Sequence, residues 1–159
     1  MMTTTITGAA GINRVADGAD MPSGSVLQVV QTSATTRNTT TSTSYVATGN
    51  SVTITPSSTS SKILILHQGM LNIQADSQFH RATLYRGSTN LGDGTDDTMG
   101  ALYVNGATDT HVPVTFNYLD SPNTTNATTY EIYHKVSSGT GRYNGNTFKL
   151  NMIAMEIAG

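Results

Sequence analysis

Four histidines and one run of aspartates are the side chains whose types suit them to chemistry. His67, His80, His111 and His134 each fall on a different predicted strand. A histidine metal motif needs a close, regular spacing, such as two residues one helical turn apart, and no pair here has it. A lone strand histidine is usually a packed or surface residue. Asp93-Gly94-Thr95-Asp96-Asp97 is the one carboxylate cluster. A hard cation such as Ca²⁺ takes about six to eight oxygens. The spacing matches no calcium loop and lacks a closing Glu, so the run reads as a solvated turn. No metal site and no cofactor is expected.

Other chemistry is equally sparse. There is no Gly-x-Ser-x-Gly elbow and no Gly-rich phosphate loop ahead of a helix. Nothing singles out a carboxylate pair of the glycosidase kind. Asn38, Asn123 and Asn126 sit in Asn-x-Ser/Thr sequons, which matter only in a secretory pathway. Tyr103, Tyr118, Tyr130, Tyr133 and Tyr143 suit a sugar-binding surface, or equally strand faces and subunit seams. The chain is not expected to be an enzyme.

The elements that would position these residues follow from composition and pattern. The chain has 159 residues, a formal charge of −2 and 11% charged residues. Such a balance gives no electrostatic footprint for nucleic acid. The longest apolar stretch, Ile63 to Leu66, is too short to span a membrane. The N-terminus has no basic segment followed by an apolar run, so no signal peptide is expected. Leu, Ile, Val and Phe together make up just under a fifth of the residues, a thin supply for an independent core. Thr, Ser, Gly and Asn fill the gap and favour strands and turns. Without cysteines, stability rests on packing and association.

Residues 1–24 lack a sustained period and read as an extended N-terminal arm, closed by Met21-Pro22-Ser23-Gly24. Residues 25–159 read as one all-β domain, an antiparallel jelly-roll or β-sandwich head. Strands are expected at Val26–Val30, Val52–Thr55, Lys62–Leu66, Phe79–Arg86, His111–Leu119, Thr129–Val136 and Phe148–Ile157. Thr32–Thr43 reads as a loop or polar edge. Lys62–Leu66 is a continuous apolar run, as in a strand buried on both faces. Pro113 requires an edge or a bulge. Gly139–Asn146 reads as a wide turn.

The last strand carries apolar residues on both sides: Phe148, Leu150 and Met152 on one, Ile153, Met155 and Ile157 on the other. One side serves the sandwich and the other an axis shared between subunits. A homotrimer is therefore expected, with Met152, Ile153, Met155 and Ile157 at its interface. In the arm, Ile6, Ile12 and Val15 are the apolar anchors for docking, and Arg14 and Asp17 give polar register.

Gly24-Ser25-Val26-Leu27-Gln28-Val29-Val30-Gln31, followed by Ser51 to Ile65 (SVTITPSSTSSKILI), resembles the β-structured domain of tailed-bacteriophage virion proteins. That domain occurs in tail-fibre C-terminal regions and in capsid-surface proteins. Leu84-Tyr85-Arg86-Gly87-Ser88-Thr89, Tyr118 to Pro122, Ala127 to Tyr130 and the ending Met155 to Gly159 carry the likeness further. The resemblance covers residues 24–159 and implies a jelly-roll-like trimeric head with no catalytic residues. Thr3 to Val15 is similar to the start of some phage fibre proteins. Only residues 16–24 separate Val15 from the head, too few for a shaft. The expected function is a capsid decoration (cement) protein or short head fibre, with a tail-fibre or tail-tip module contacting host glycans as the alternative. Its partners would be virion proteins, its place the virion, and its assembly in the host cytoplasm.

Overall fold

The structure is a computed structural model that describes residues 21–74, 76–92, 96–106, 109–144 and 148–159. Its elements are strands: β1 (Val26–Ala34), β2 (Asn38–Thr40), β3 (Val46–Ile54), β4 (Lys62–Ile73), β5 (Gln78–Arg86) and β6 (Thr89–Asn90). They continue with β7 (Gly100–Val104), β8 (Thr110–Asp120), β9 (Thr128–Val136), β10 (Gly141–Tyr143) and β11 (Leu150–Ile157). Two antiparallel sheets pack face to face, so the all-β sandwich expected from the sequence is what forms. Sheet A runs β1-β11-β4-β10-β2, with β8 on the other side of β4. Sheet B runs β3-β9-β5-β6, with β7 also on β5.

The period-2 pattern of the apolar residues sets which side chains enter the core. β11 buries Leu150, Met152, Ala154 and Glu156 and leaves Asn151, Ile153, Met155 and Ile157 half-buried. β9 buries Tyr130, Ile132, His134 and Val136. β4 pairs with β11 through Lys62–Gln68 and with β10 through Leu71–Ile73. β10 and β11 therefore lie end to end along one side of β4. Asn144, at φ 58, turns the chain out between them. In β3 the register shifts between Ala47 and Ser51. Gly49 takes the left-handed φ of 78 in that bulge, a conformation glycine adopts without a steric penalty. The Thr48 hydroxyl donates to the Ile132 carbonyl at 2.7 Å, pinning the irregular turn to its neighbour.

Several expectations are adjusted. Lys62–Leu66 is not buried on both faces: Ile63 and Ile65 enter the core, while Leu64 and Leu66 are half-buried on the outer face of sheet A. Among the described residues no second layer covers that face. Phe148 lies before the last strand and is 57% exposed, because the chain is still returning from the loop where Asn144 Nδ2 donates to the Phe148 carbonyl. Tyr143, expected in a wide turn, is on β10 and fully buried. The polar edge within Thr32–Thr43 exists as β2. Pro113 sits on β8, whose pairing is with β4 alone, the edge position its missing N–H requires. The arm residues Ile6, Ile12, Arg14, Val15 and Asp17 lie outside the described residues.

Candidate functional site

The outer face of sheet A is where sequence and structure put apolar side chains that the other described residues do not cover. Val29 on β1 stands opposite Met155 on β11, Met155 opposite Leu64 on β4, and Leu64 opposite Leu119 on β8. This row crosses four strands, and its ends are open, Val29 being 55% and Leu119 52% exposed. The next row reads Gln31, Ile153, Leu66, Asn117, and the one beyond it Ser33, Asn151, Gln68, Thr115. On the other side Val26 and Ile157 continue the apolar area up to Lys62. The face is thus an apolar stripe bordered by neutral amides and one lysine. A shallow recess lined by Leu66, Ile153, Gln68, Asn117 and Asn151 lies where stripe meets border.

Of the four residues expected at a trimer interface, Ile153, Met155 and Ile157 lie on this face. Met152 does not: strand alternation turns it inward, where it is 2% exposed in the core.

At one end of the sandwich the interior is polar. His67 Nδ1 lies 2.9 Å from the Asn151 carbonyl and its Nε2 2.6 Å from the Tyr143 hydroxyl. A carbonyl only accepts, so Nδ1 carries the hydrogen, and Tyr143 donates to the bare Nε2. A Cβ at position 69 would overlap that hydroxyl, which is why Gly69 is needed there. His80 and His134, on neighbouring β5 and β9, meet at 3.0 Å between Nε2 and Nδ1. His80 Nδ1 faces the Asn72 carbonyl at 2.9 Å and His134 Nε2 faces Asn38 Oδ1 at 2.7 Å. Sequence reading treated every histidine as solitary. The missed signal was phase, because His80 and His134 both occupy the inward positions of strands that turn out to be adjacent.

Burial penalises the charged imidazole and pushes His67 and His80 down to about 4 and His134 to about 3. Backbone hydrogen bonds oppose the shift at His67 and His80, and the neighbouring His80 adds to it at His134. Burial likewise raises the Tyr143 phenol. Neutral rings at neutral pH follow. His111, on the edge strand β8, is apart from the others and lies 3.5 Å from Asp109.

At the opposite end two carboxylates tie segments together. Asp120 on β8 takes Arg86 Nη1 of β5 on both oxygens at 2.8 Å and the Tyr130 hydroxyl of β9 at 2.7 Å. These contacts join sheet A to sheet B. Glu156, 1% exposed, accepts from Ser57 N, Ser57 Oγ, Ser61 Oγ and Gln28 Nε2 at 2.6 to 2.7 Å. Burial raises its carboxyl, but the hydrogen bonds from Ser57, Gln28 and Ser61 prevail and hold it below the usual range.

The tyrosines divide between core and surface. Tyr130 and Tyr143 are in the core and Tyr118 packs against it. On the outer face of sheet B, Tyr85 stacks on Tyr133 at 4.0 Å, beside Glu131 and the Thr53–Thr129 hydroxyl pair at 2.7 Å. Tyr103 stacks with Phe79 at 4.6 Å, and Arg81 lies over the Phe79 ring at 4.3 Å. Of the Asp93–Asp97 run, residues 93–95 lie outside the described residues. Asp96 pairs with Arg81 at 3.0 Å, and its carbonyl accepts from the Tyr45 hydroxyl at 3.2 Å. Among the described residues no three His, Asp or Glu side chains come together as metal ligands. No described helix is long and apolar enough to cross a membrane.

No family model matches the chain, and no curated protein does. Solved structures that resemble it include infectious bursal disease virus Gt strain, at TM-score 0.43 and 13% identity over 85% of this chain and 39% of that one. The Gx strain gives TM-score 0.44 and 14% identity over 83% and 37%. The VP2 subviral particle of the same virus gives TM-score 0.44 and 13% identity over 83% and 37%. The chain spans less than two fifths of the length of each, and the likeness is coarse.

Proposed function

We propose that this chain is a structural protein of a bacteriophage particle: a capsid decoration (cement) protein or short head fibre, trimeric, docked on the shell through its N-terminal arm. The observation that carries the reading is the apolar row Val29–Met155–Leu64–Leu119 on a sheet face that no other described residues cover. Contiguous exposed apolar area marks a contact surface. In the trimer, Ile153, Met155 and Ile157 lie at the seam between copies, and the neutral amides of Gln31, Asn151 and Asn117 form its polar rim. The tailed-phage resemblance of residues 24–159 supports the particle. The shaftless join between arm and head supports a seat close to the shell. The role is mechanical rather than catalytic, and the particle is assembled in the host cytoplasm.

Ile6, Ile12 and Val15 anchor the arm and Arg14 and Asp17 set its register. Three arms on one trimer gain affinity through effective concentration. The head is expected to fold and trimerise without residues 1–20, because among the described residues its pairing begins with Gly24 N donating to the Ala158 carbonyl at 2.8 Å. The test is rebinding to stripped capsids. Intact protein should rebind and protein lacking residues 1–20 should not; equal rebinding by both would overturn the docking role.

A second reading, a tail-fibre or tail-tip module contacting host glycans, is favoured by one observation. Tyr85 and Tyr133 on sheet B stack beside Glu131, Thr53 and Thr129, pairing aromatic area with hydroxyl and carboxylate groups as sugar recognition requires. Attachment of the intact protein to tails but not to heads, with loss of glycan binding in Tyr133→Ala, would put this reading first.

A further inference from the structure

The buried chain Asn72–His80–His134–Asn38 has acceptors at both ends, and that fixes how many protons it holds. The Asn72 carbonyl at one end requires a hydrogen on His80 Nδ1, and Asn38 Oδ1 at the other requires one on His134 Nε2. A third must lie between His80 Nε2 and His134 Nδ1. Two neutral imidazoles carry two ring hydrogens between them. The arrangement with Asn38 Oδ1 inward therefore needs three hydrogens and one positive charge.

The neutral pair is completed by a single change. With the Asn38 amide turned by half a rotation, its NH₂ donates to His134 Nε2, His134 Nδ1–H donates to His80 Nε2, and His80 Nδ1–H donates to the Asn72 carbonyl. Every contact is then satisfied with both rings in the Nδ1–H form. The amide nitrogen of Asn38 has no other hydrogen-bond partner among the described residues, so the turn breaks no described contact. Both ends lie on sheet A (β4 and β2), and both rings on sheet B (β5 and β9).

We propose that His80 and His134 form a buried site for one proton, and that the Asn38 amide is the rotor that adapts the site to its charge. At neutral pH the NH₂ points inward. On acidification Asn38 turns its oxygen inward and one proton from solvent adds at His134 Nε2, while the Nδ1 hydrogen of His134 stays between the two rings. A second proton has no place, because the fourth nitrogen would set two N–H groups against each other. Burial lowering both rings agrees with a neutral resting state.

No carboxylate among the described residues faces the pair. Tyr143 of β10 presents its ring edge to His134 at 6.0 Å, and His67 of β4 lies beyond that tyrosine. Arg81, Glu131 and Lys135 are on the outer face of sheet B by strand alternation. Asp109 groups with His111 and Arg142 around the Asn72 side chain, and Arg142 alternates with inward Tyr143.

The site is a device for taking up acid without losing a hydrogen bond between the sheets. The test is ¹⁵N NMR of the imidazole nitrogens in the intact protein, titrated from pH 7 downward. The expected result is the Nδ1–H tautomer on both rings at pH 7, and uptake of one proton by the pair while the amide spectrum remains folded. Asn38→Asp supplies a group that accepts only and carries charge, so it should raise the proton affinity of the pair at least tenfold. An Nε2–H tautomer on either ring at pH 7, two protons bound in the folded state, or an unshifted titration in a folded Asn38→Asp would each overturn the proposal. Should that variant fail to fold, the tautomers and the proton count of the natural chain decide alone.

Discussion

Met155 of β11 stands directly opposite Leu64 of β4 on the outer face of sheet A, and neither touches the sandwich core. One residue along β11, Ala154 is fully buried. The strand therefore serves two surfaces, and substitutions at alternate positions should separate association from folding. Ile153→Asp should dissociate the trimer and leave a folded monomer, because the new carboxylate is solvated once the copies part. Met152→Asp should unfold the chain, since a charge in the core has no partner. Sedimentation and circular dichroism on both variants check this. An Ile153→Asp protein that remains trimeric would count against the seam.

Gly69 and Tyr143 give a second expectation. Gly69→Ala places a methyl where the Tyr143 hydroxyl sits, and overpacking of this kind costs roughly 1–3 kcal/mol. Tyr143→Phe leaves His67 Nε2 without a donor and should cost about 1 kcal/mol. Denaturant titration should find the glycine substitution the worse of the two, and their combination less damaging than the sum. Removing the hydroxyl also removes the closest overlap, leaving only the Tyr143 Cζ contact at 2.6 Å and His67 Nε2 at 3.0 Å.

Asp120 is the shared acceptor for Arg86 and Tyr130. Asp120→Ala strands a buried phenol and an arginine, at a cost near 3 kcal/mol. Arg86 is 29% exposed, which lets water recover part of its solvation. Tyr130→Phe removes one donor from a carboxylate that keeps its cation, and about 1 kcal/mol is expected. Equal losses for the two variants would contradict the ordering.

The three buried histidines fix how stability changes in acid. Their folded-state values lie at about 4, 4 and 3, below the ordinary 6.5. The unfolded chain therefore binds more protons between these limits. Stability should be fully present above pH 6.5 and fall as the pH drops toward 4, by about 1.4 kcal/mol per pH unit for each site. Urea midpoints measured from pH 7 to 4 test this, and His67→Gln should reduce the slope. A midpoint that does not change over that range would remove the histidines from the account.

Much of this fold was legible as strand phase. Tyr130, Ile132, His134 and Val136 alternate along the sequence and form one inward face. Val26–Val30 and Lys62–Leu66 read as strands, although β1 extends further through polar residues whose pairing comes from a neighbour, and β4 runs on past His67, Gln68 and Gly69 to the buried Met70, Leu71 and Ile73. Phase within one strand says nothing about which strands become adjacent. The meeting of His80 with His134, 54 residues apart, and of Arg86 with Asp120 was therefore invisible. The short strands β2 and β10 have too few apolar residues to show a period, β7 (GALYV) is apolar at four successive positions and so shows no alternation, and all three pair with edges that longer neighbours supply. Leu64 and Leu66 were misplaced for a related reason: a continuous apolar run looks the same whether or not a core covers its second face.

The most direct test of the account is an image reconstruction of whole particles carrying this chain. It should place the sandwich as threefold projections on the head shell, with the outer faces of sheet A packed together around each threefold axis. Particles in which the chain occupies only the tail would contradict the account.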